Sequence, residues 1–326
     1  MFTFFCKEIV EKKHPIKKIR DDIFYLLVLV LIKLLRALPR KPALLFMRSL
    51  GRLAFILSKN PRKRAIAHLG MVFPDKSREE IITLARKVFI HFATAIGDLV
   101  RLPRLIDSGL NDLVTASGTE HLDRAFATGR GLILITCHFG NWELLGAWLV
   151  KNGYPMSVVG TTLFDERLDR FLVDTRNNAG YTNIARGKGT REIMRTLKKG
   201  HSVGMLIDQD TKAQGVFVNF FGRQTHTPTG PAVLARKLDL PIIPIFMYLK
   251  DDLTYHLECQ PPLDLVRTAN EEKDIRSYTQ QCSDAYEGII RRFPEQWVWM
   301  HKRWKTQPEA IEKETGAAPV QSSLWQ

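Results

Sequence analysis

Leu132-Ile133-Leu134-Ile135-Thr136-Cys137-His138-Phe139-Gly140-Asn141-Trp142-Glu143 is the stretch that decides how this chain reads. Five apolar or β-branched residues in a row, preceded by Gly129 and Gly131, predict a short strand buried on both faces, as in a parallel sheet. Gly140 permits a sharp turn. Asn141 can then cap a helix running to about Asn152, before Gly153 and Pro155 stop it. A histidine, a glycine and a capping asparagine at the carboxyl end of a buried strand lie where open α/β sheets collect function.

Working outward, the same alternation repeats. Met156–Val159, Val203–Ile207 and Ile242–Leu249 read as further apolar strands, and Thr190–Lys199 and Pro231–Leu238 as helices. Strands alternating with helices of about ten residues predict a layered α/β domain, a sheet with flanking helices, over about 105–305. A second strand end carries polar residues, Asp208-Gln209-Asp210. Upstream, Ser77-Arg78-Glu79-Glu80 has the capping-box pattern and starts a helix expected to reach about Val100, with Pro103 marking a boundary.

His138 and Glu143 would lie ~140° apart on one helix, at about 100° per residue, and could not meet. With His138 in the turn and Glu143 in the first helical turn they can. Glu143 would then accept the imidazole N–H and leave the other ring nitrogen as a general base. The plainer reading is a structural histidine satisfied by a carboxylate. Cys137 should point to the opposite face and pack as a buried thiol. His138, Glu143 and Asp208 could be read as metal ligands, but no ligand-pair spacing supports this. No metal and no cofactor is expected.

The chain has 326 residues, 45% hydrophobic and 25% charged, which excludes wholesale disorder and a fibrous repeat. Mean hydropathy is −0.13, too polar for several membrane spans. Four cysteines with no CxxC pair suggest reduced thiols. Net charge is +14. It is concentrated in residues 33–74, with ten Lys/Arg and no acid, and in residues 291–305, at +4. Two basic patches on a neutral body suggest a polyanionic partner: nucleic acid, an anionic membrane or an acidic protein.

The N-terminus favours the membrane. Residues 23–32 are ten consecutive apolar residues, and no signal-peptide cleavage site follows them. They are expected to form a retained anchor, with the cation excess after it placing the body in the cytosol. Lys41, Arg48, Arg52 and Lys59 form a basic stripe on an otherwise apolar helix suited to a membrane interface. No zinc-finger spacing or RNP-like strand supports nucleic acid.

Several ordered blocks resemble the late acyltransferases of lipid A biosynthesis, the lauroyl/myristoyl transferase family. They are residues 118–146, Leu206-Ile207-Asp208-Gln209-Asp210, Phe220-Phe221-Gly222 with Thr227-Pro228-Thr229-Gly230-Pro231, and Pro294-Glu295-Gln296-Trp297-Val298-Trp299-Met300-His301-Lys302-Arg303-Trp304-Lys305. The resemblance covers about 20–305. Two places depart from it: Val159-Gly160-Thr161-Thr162 stands where many relatives have Tyr-Arg-Pro, and His68-Leu69 where they have Asn-Leu.

The resemblance implies the glycerolipid-acyltransferase-like fold. It also implies transfer of an acyl chain from an acyl-carrier-protein thioester to a hydroxyl of a lipid A precursor. The place would be the cytoplasmic face of the inner membrane of a Gram-negative bacterium. Another glycolipid or lysolipid acceptor, such as an inositol mannoside or an aminoacyl lipid, is the alternative. His138 is expected as general base and Glu143 as its orienting partner. Arg176, in Arg176-Asn177-Asn178-Ala179-Gly180, matches the family's Arg-x3-Gly and is expected to bind a phosphate or the oxyanion. Asp208, holding Arg176 or the acceptor sugar, and Asn141 complete the expected substrate-binding set. Phe217, Phe220 and Phe221 are candidate acyl-channel residues. Trp297, Trp299 and Trp304, interleaved with Lys302, Arg303 and Lys305, are candidates for an interfacial belt or for core. The expected division is a tail and membrane anchor over 1–40, a basic amphipathic helical region over 41–104, the α/β acyltransferase domain over 105–307, and a disordered tail over 308–326.

Overall fold

A computed structural model describes residues 15–163, 165–187 and 189–307. The expected disordered tail lies outside them. Four helices come first: α1 (Pro15–Ala37), α2 (Arg40–Leu57), α3 (Lys59–Val72) and α4 (Arg78–Ser108). The capping box of α4 is formed, with Ser77 Oγ accepting from the Glu80 N–H at 3.2 Å and the Glu80 carboxylate accepting from the Ser77 N–H at 2.8 Å. The helix does not stop near Val100. It continues through Pro103 to Ser108 and ends at Gly109, whose φ is 111°. Proline removes one helical N–H, whereas Val100, Leu102 and Leu105 are buried on both sides of it.

The body is α/β, as the periodicity predicts. Seven strands form one sheet: β1 (Val114–Ser117), β2 (Leu132–Thr136), β3 (Met156–Gly160), β4 (Thr182–Ala185), β5 (Ser202–Leu206), β8 (Ile242–Leu249) and β9 (Tyr255–Cys259). Their order is β1-β9-β8-β2-β5-β3-β4, parallel except for the β8–β9 pair. A separate antiparallel hairpin, β6 (Gly215–Phe220) and β7 (Arg223–Pro228), follows β5. Six further helices are α5 (Thr119–Ala127), α6 (Trp142–Lys151), α7 (Glu166–Asn178), α8 (Thr190–Lys198), α9 (Gly230–Leu238) and α10 (Glu271–Arg292).

β2 lies between β8 and β5, and all five of its residues are buried. Strand alternation sends Leu132 and Leu134 to one face, where they pack with Leu144, Leu145 and Trp148 of α6. Ile133 and Ile135 face the other layer, with Ile193 of α8, Leu234 of α9 and Ile289 of α10. Two-sided burial is why this strand reads as an unbroken apolar run.

The expected retained anchor is not supported by a spanning helix. Among the described residues no helix is long and apolar enough to cross a membrane. The apolar run does fold as α1, but Lys17, Lys18, Arg20, Asp21 and Asp22 occupy its start and Lys33 and Arg36 its last turns. Its carboxyl end is docked on the body. Ile32 and Leu35 pack with Met47 of α2 and Val100 of α4, and Arg36 Nε donates to the Val100 carbonyl at 2.9 Å. The rest leaves Ile23, Phe24, Leu26, Leu27 and Val30 exposed, Leu27 at 63%. Leu45, Leu53, Ile56 and Leu57 of α2 add to this apolar surface, Leu57 at 68%.

Candidate active site

The turn after β2 is held from several sides. Gly140 adopts φ 58°, and a Cβ there would meet the Met247 carbonyl oxygen at 1.8 Å, so only glycine fits. Its N–H donates to the Gln296 carbonyl at 2.9 Å, and the Asn141 N–H to the Met247 carbonyl at 3.0 Å. From below, His91 Nε2–H donates to the Gly140 carbonyl at 3.2 Å. Burial lowers the His91 pKa to about 4, so its ring is neutral.

His138 lines a cavity of about 500 Å³ together with Glu143, Leu145, Val158, Arg176 and Gly204. Its imidazole is oriented by Asp208. Nδ1 lies 2.8 Å from Asp208 Oδ1, and the His138 backbone N–H donates to Oδ2 at 2.9 Å. Trp297 Nε1–H donates to the same Oδ2 at 2.9 Å. Burial by itself would raise the Asp208 pKa, but the His138 charge and these hydrogen bonds hold it at about 2. An ionised carboxylate can only accept, so Nδ1 carries the proton and Nε2 is the basic nitrogen. Among the described residues no group bonds Nε2.

Asp208, not Glu143, therefore holds the imidazole. Glu143 is in the first turn of α6 as expected, but its carboxylate serves another network. Arg176 of α7 grips it in bidentate fashion, Nε to Oε2 at 2.9 Å and Nη2 to Oε1 at 2.5 Å. The Tyr181 hydroxyl donates to Oε2 at 3.0 Å and Trp142 Nε1–H to Oε1 at 3.1 Å. Glu143 and the Trp142 ring still border His138, with the Trp142 and His138 centroids 5.1 Å apart.

Arg176 lines the cavity, and its guanidinium is held by Glu143 and by the Asn183 side chain. Gly160 makes room for it, since a Cβ there would lie 3.0 Å from Nη1. Asn141 is buried and structural. It caps α6 by accepting from the Leu144 N–H at 3.1 Å, and its amide donates to the Ala95 carbonyl and the Tyr255 hydroxyl. Tyr255 in turn donates to Asp98 of α4 at 2.8 Å, and Arg40 of α2 clamps Asp98 with two bonds. That buried chain, which ties α2 to the α6 cap, carried no sequence signal beyond its residue types.

Phe217, Phe220 and Phe221 are buried but none lines the cavity. Trp297, Trp299 and Arg303 are buried as well, which makes them core and not an interfacial belt; none lines the cavity, and Trp297 reaches the site through its hydrogen bond to Asp208. Cys137 is buried, and burial pushes its thiol well up, as a packing residue requires.

The arrangement can accept a proton at the unpaired ring nitrogen of His138, beside a largely apolar cavity. Comparison with known proteins points to acyltransferases. The chain is 28% identical over 225 residues to a phosphatidylinositol mannoside acyltransferase of Mycolicibacterium smegmatis, covering 68% of this chain and 72% of the relative. It is 28% identical to the lipid A biosynthesis lauroyltransferase of Escherichia coli, covering 80% and 85%. To the palmitoleoyltransferase of the same organism it is 27% identical, covering 82% and 86%. The family model for the bacterial lipid A biosynthesis acyltransferases matches residues 11–306. With that match covering nearly its whole length, the chain belongs to the bacterial lipid A biosynthesis acyltransferase family.

Proposed function

We propose that the protein transfers a fatty acyl chain from an acyl-carrier-protein thioester to a hydroxyl of a lipid A-type glycolipid precursor. The observation that carries this reading is the His138–Asp208 pair, which leaves Nε2 basic beside a largely apolar cavity. Nε2 takes the proton of the acceptor hydroxyl as its oxygen attacks the thioester carbonyl. The resulting imidazolium, stabilised by the Asp208 carboxylate, returns the proton to the departing thiolate. Among the described residues the Trp142 and Glu143 N–H groups in the first turn of α6 have no acceptor, and both residues line the cavity with His138, so these are the donors proposed for the oxyanion. The cavity beyond, with Leu145, Met156, Val158 and Gly204 in its wall, takes the acyl chain.

The apolar face of α1 and α2 gives this reaction a place. Its exposed side chains are accompanied by the exposed cations Lys33, Lys41, Arg52 and Lys59. Such a pair of helices lies in the interface of an anionic bilayer, on the inner membrane's cytoplasmic face, without crossing it. An inositol mannoside-type acceptor is the second reading, favoured by the similarity to the mycolicibacterial relative.

The test is turnover of purified protein on anionic vesicles, with acyl carrier protein as donor and lipid A precursor or inositol mannoside as competing acceptors. Wild type should acylate the lipid A precursor faster. His138→Ala should lose the general-base contribution, roughly 10²–10⁴-fold. A folded His138→Ala protein with near-normal turnover sinks the mechanism, and preference for the inositol mannoside replaces the acceptor.

A further inference from the structure

Asp208 receives one of its three hydrogen bonds from far along the chain. Trp297 is 89 residues away in sequence, and its indole N–H shares Oδ2 with the His138 backbone N–H. The donor cannot drift. Trp297 is buried, with Phe220 at 5.5 Å and Trp299 at 4.8 Å between ring centroids. Its backbone forms an antiparallel bridge with Phe139, next to His138. Gln296 beside it accepts from the Gly140 N–H and exchanges two side-chain hydrogen bonds with the Leu249 backbone. The segment 294–297 thus clamps the catalytic turn and the carboxylate together.

We propose that Trp297 is a positioning residue for acyl transfer: its indole N–H fixes Asp208 so that Oδ1 meets the His138 ring and Nε2 faces the cavity. This rests on His138 being the base. With two donors on Oδ2, the carboxylate has no freedom to turn away from the imidazole. Removing the indole N–H leaves a buried carboxylate with one donor fewer. Its charge is then less spread, so it holds the proton on the imidazole more tightly. The acid limb of the kcat/KM profile should move to higher pH. Looser Asp208 geometry should lower kcat while KM for both substrates stays put, because Trp297 touches neither. The other titratable groups near Asp208 are His301 and Arg303 on the C-terminal segment, Tyr286 on α10 and Cys137 after β2. The substitution leaves them all in place.

The experiment measures kcat, KM and the pH profile of full-length wild type, Trp297→Phe, Trp304→Phe and His138→Ala on vesicles. Trp304 stacks on Phe220 and touches Trp297 edge-on but bonds to the Phe220 carbonyl, so it reports the cost of losing a neighbouring indole that does not reach Asp208. Trp297→Phe should lose roughly 10- to 100-fold in kcat, the size of a hydrogen bond to a charged group, with a raised acid limb. Trp304→Phe should keep the wild-type limb. If Trp297→Phe does not fold, Trp297→Met is the second donor-free variant, its flexible side chain filling the gap. A folded donor-free variant with the wild-type limb overturns the proposal while His138→Ala remains inactive. An active His138→Ala overturns the acyl-transfer mechanism instead.

Discussion

Glu143 lines the cavity and Asp208 lies behind His138, both buried, yet each faces a different kind of partner. Glu143 meets Arg176, whose charge is permanent, along with two further donors. Asp208 meets His138, whose charge comes and goes, and two donors that never ionise. A buried carboxylate against guanidinium makes a fixed strut, because breaking it leaves an uncompensated charge. A buried carboxylate against imidazole makes a device that can hold a proton and release it. The difference teaches that the acid closest in sequence to a catalytic histidine need not be its partner.

The largest effect that would break this contrast lies at Asp208. Asp208→Asn replaces the acceptor with a side chain able to donate to Nδ1, which moves the ring proton to Nε2 and removes the base. Turnover should fall roughly 10²–10⁴-fold at unchanged KM. Stopped-time acyl-transfer assays check it, with circular dichroism as the folding control. Activity within threefold of wild type would make Asp208 a strut as well.

Glu143→Gln should act on the other side of the comparison. Arg176 would stay buried without its counter-ion, at a cost of about 3 kcal/mol in stability. Denaturant unfolding should show this loss. Turnover per folded molecule should fall less than in Asp208→Asn, and with no displacement of the acid limb. A fall as deep as that of Asp208→Asn, in fully folded protein, would return the orienting role to Glu143.

A smaller effect concerns His91, which supports the Gly140 carbonyl under the catalytic turn. Its pKa is about 4 in the fold against 6.5 for the free side chain. The unfolded chain therefore binds a proton that the fold refuses. Stability should decline as pH falls from 6.5 toward 4, by roughly 1–3 kcal/mol from this group. Urea unfolding of His91→Gln at pH 7 and 4.5 should show a shallower decline than wild type; parallel slopes would show that the ring is not held neutral.

The smallest expected effect is at Gly204, in the cavity wall. A Cβ there would lie 2.9 Å from the Met156 methyl and 3.4 Å from Val158 Cγ1. Gly204→Ala should shift the ratio of kcat/KM toward shorter acyl thioesters by about tenfold, the value of a methylene or so in a tight pocket. An unchanged ratio would put the acyl chain elsewhere.

Much of the fold was legible because local physics writes it into the chain. Leu132–Thr136 and Ile242–Leu249 match the observed strands at both ends, since strands buried on both faces need unbroken apolar runs. The capping box and the Asn141 cap are formed for the same local reason. Elements that pack one face or lie at an edge were not read: β1, β4, β9 and helix α7 carry mixed patterns that several structures would satisfy. The apolar run at 23–32 reads as a retained anchor because hydropathy counts side chains and not their neighbours. The structure docks its end on α4 instead.

By itself, the sequence determined that His138 and Asp208 each follow a buried strand of an α/β sheet. Only the tertiary structure decided that those strands are neighbours. β2 and β5 pair in parallel with Thr136 opposite Leu206, so the residues two steps beyond, His138 and Asp208, emerge side by side. Adjacent strands lie about 4.8 Å apart, within hydrogen-bonding reach of two short side chains. Glu143, five residues from His138 along the chain, is instead turned by the first turn of α6 toward Arg176 and Tyr181. Strand order is set by how whole layers bury their apolar faces, a sum over the entire chain that no local motif contains.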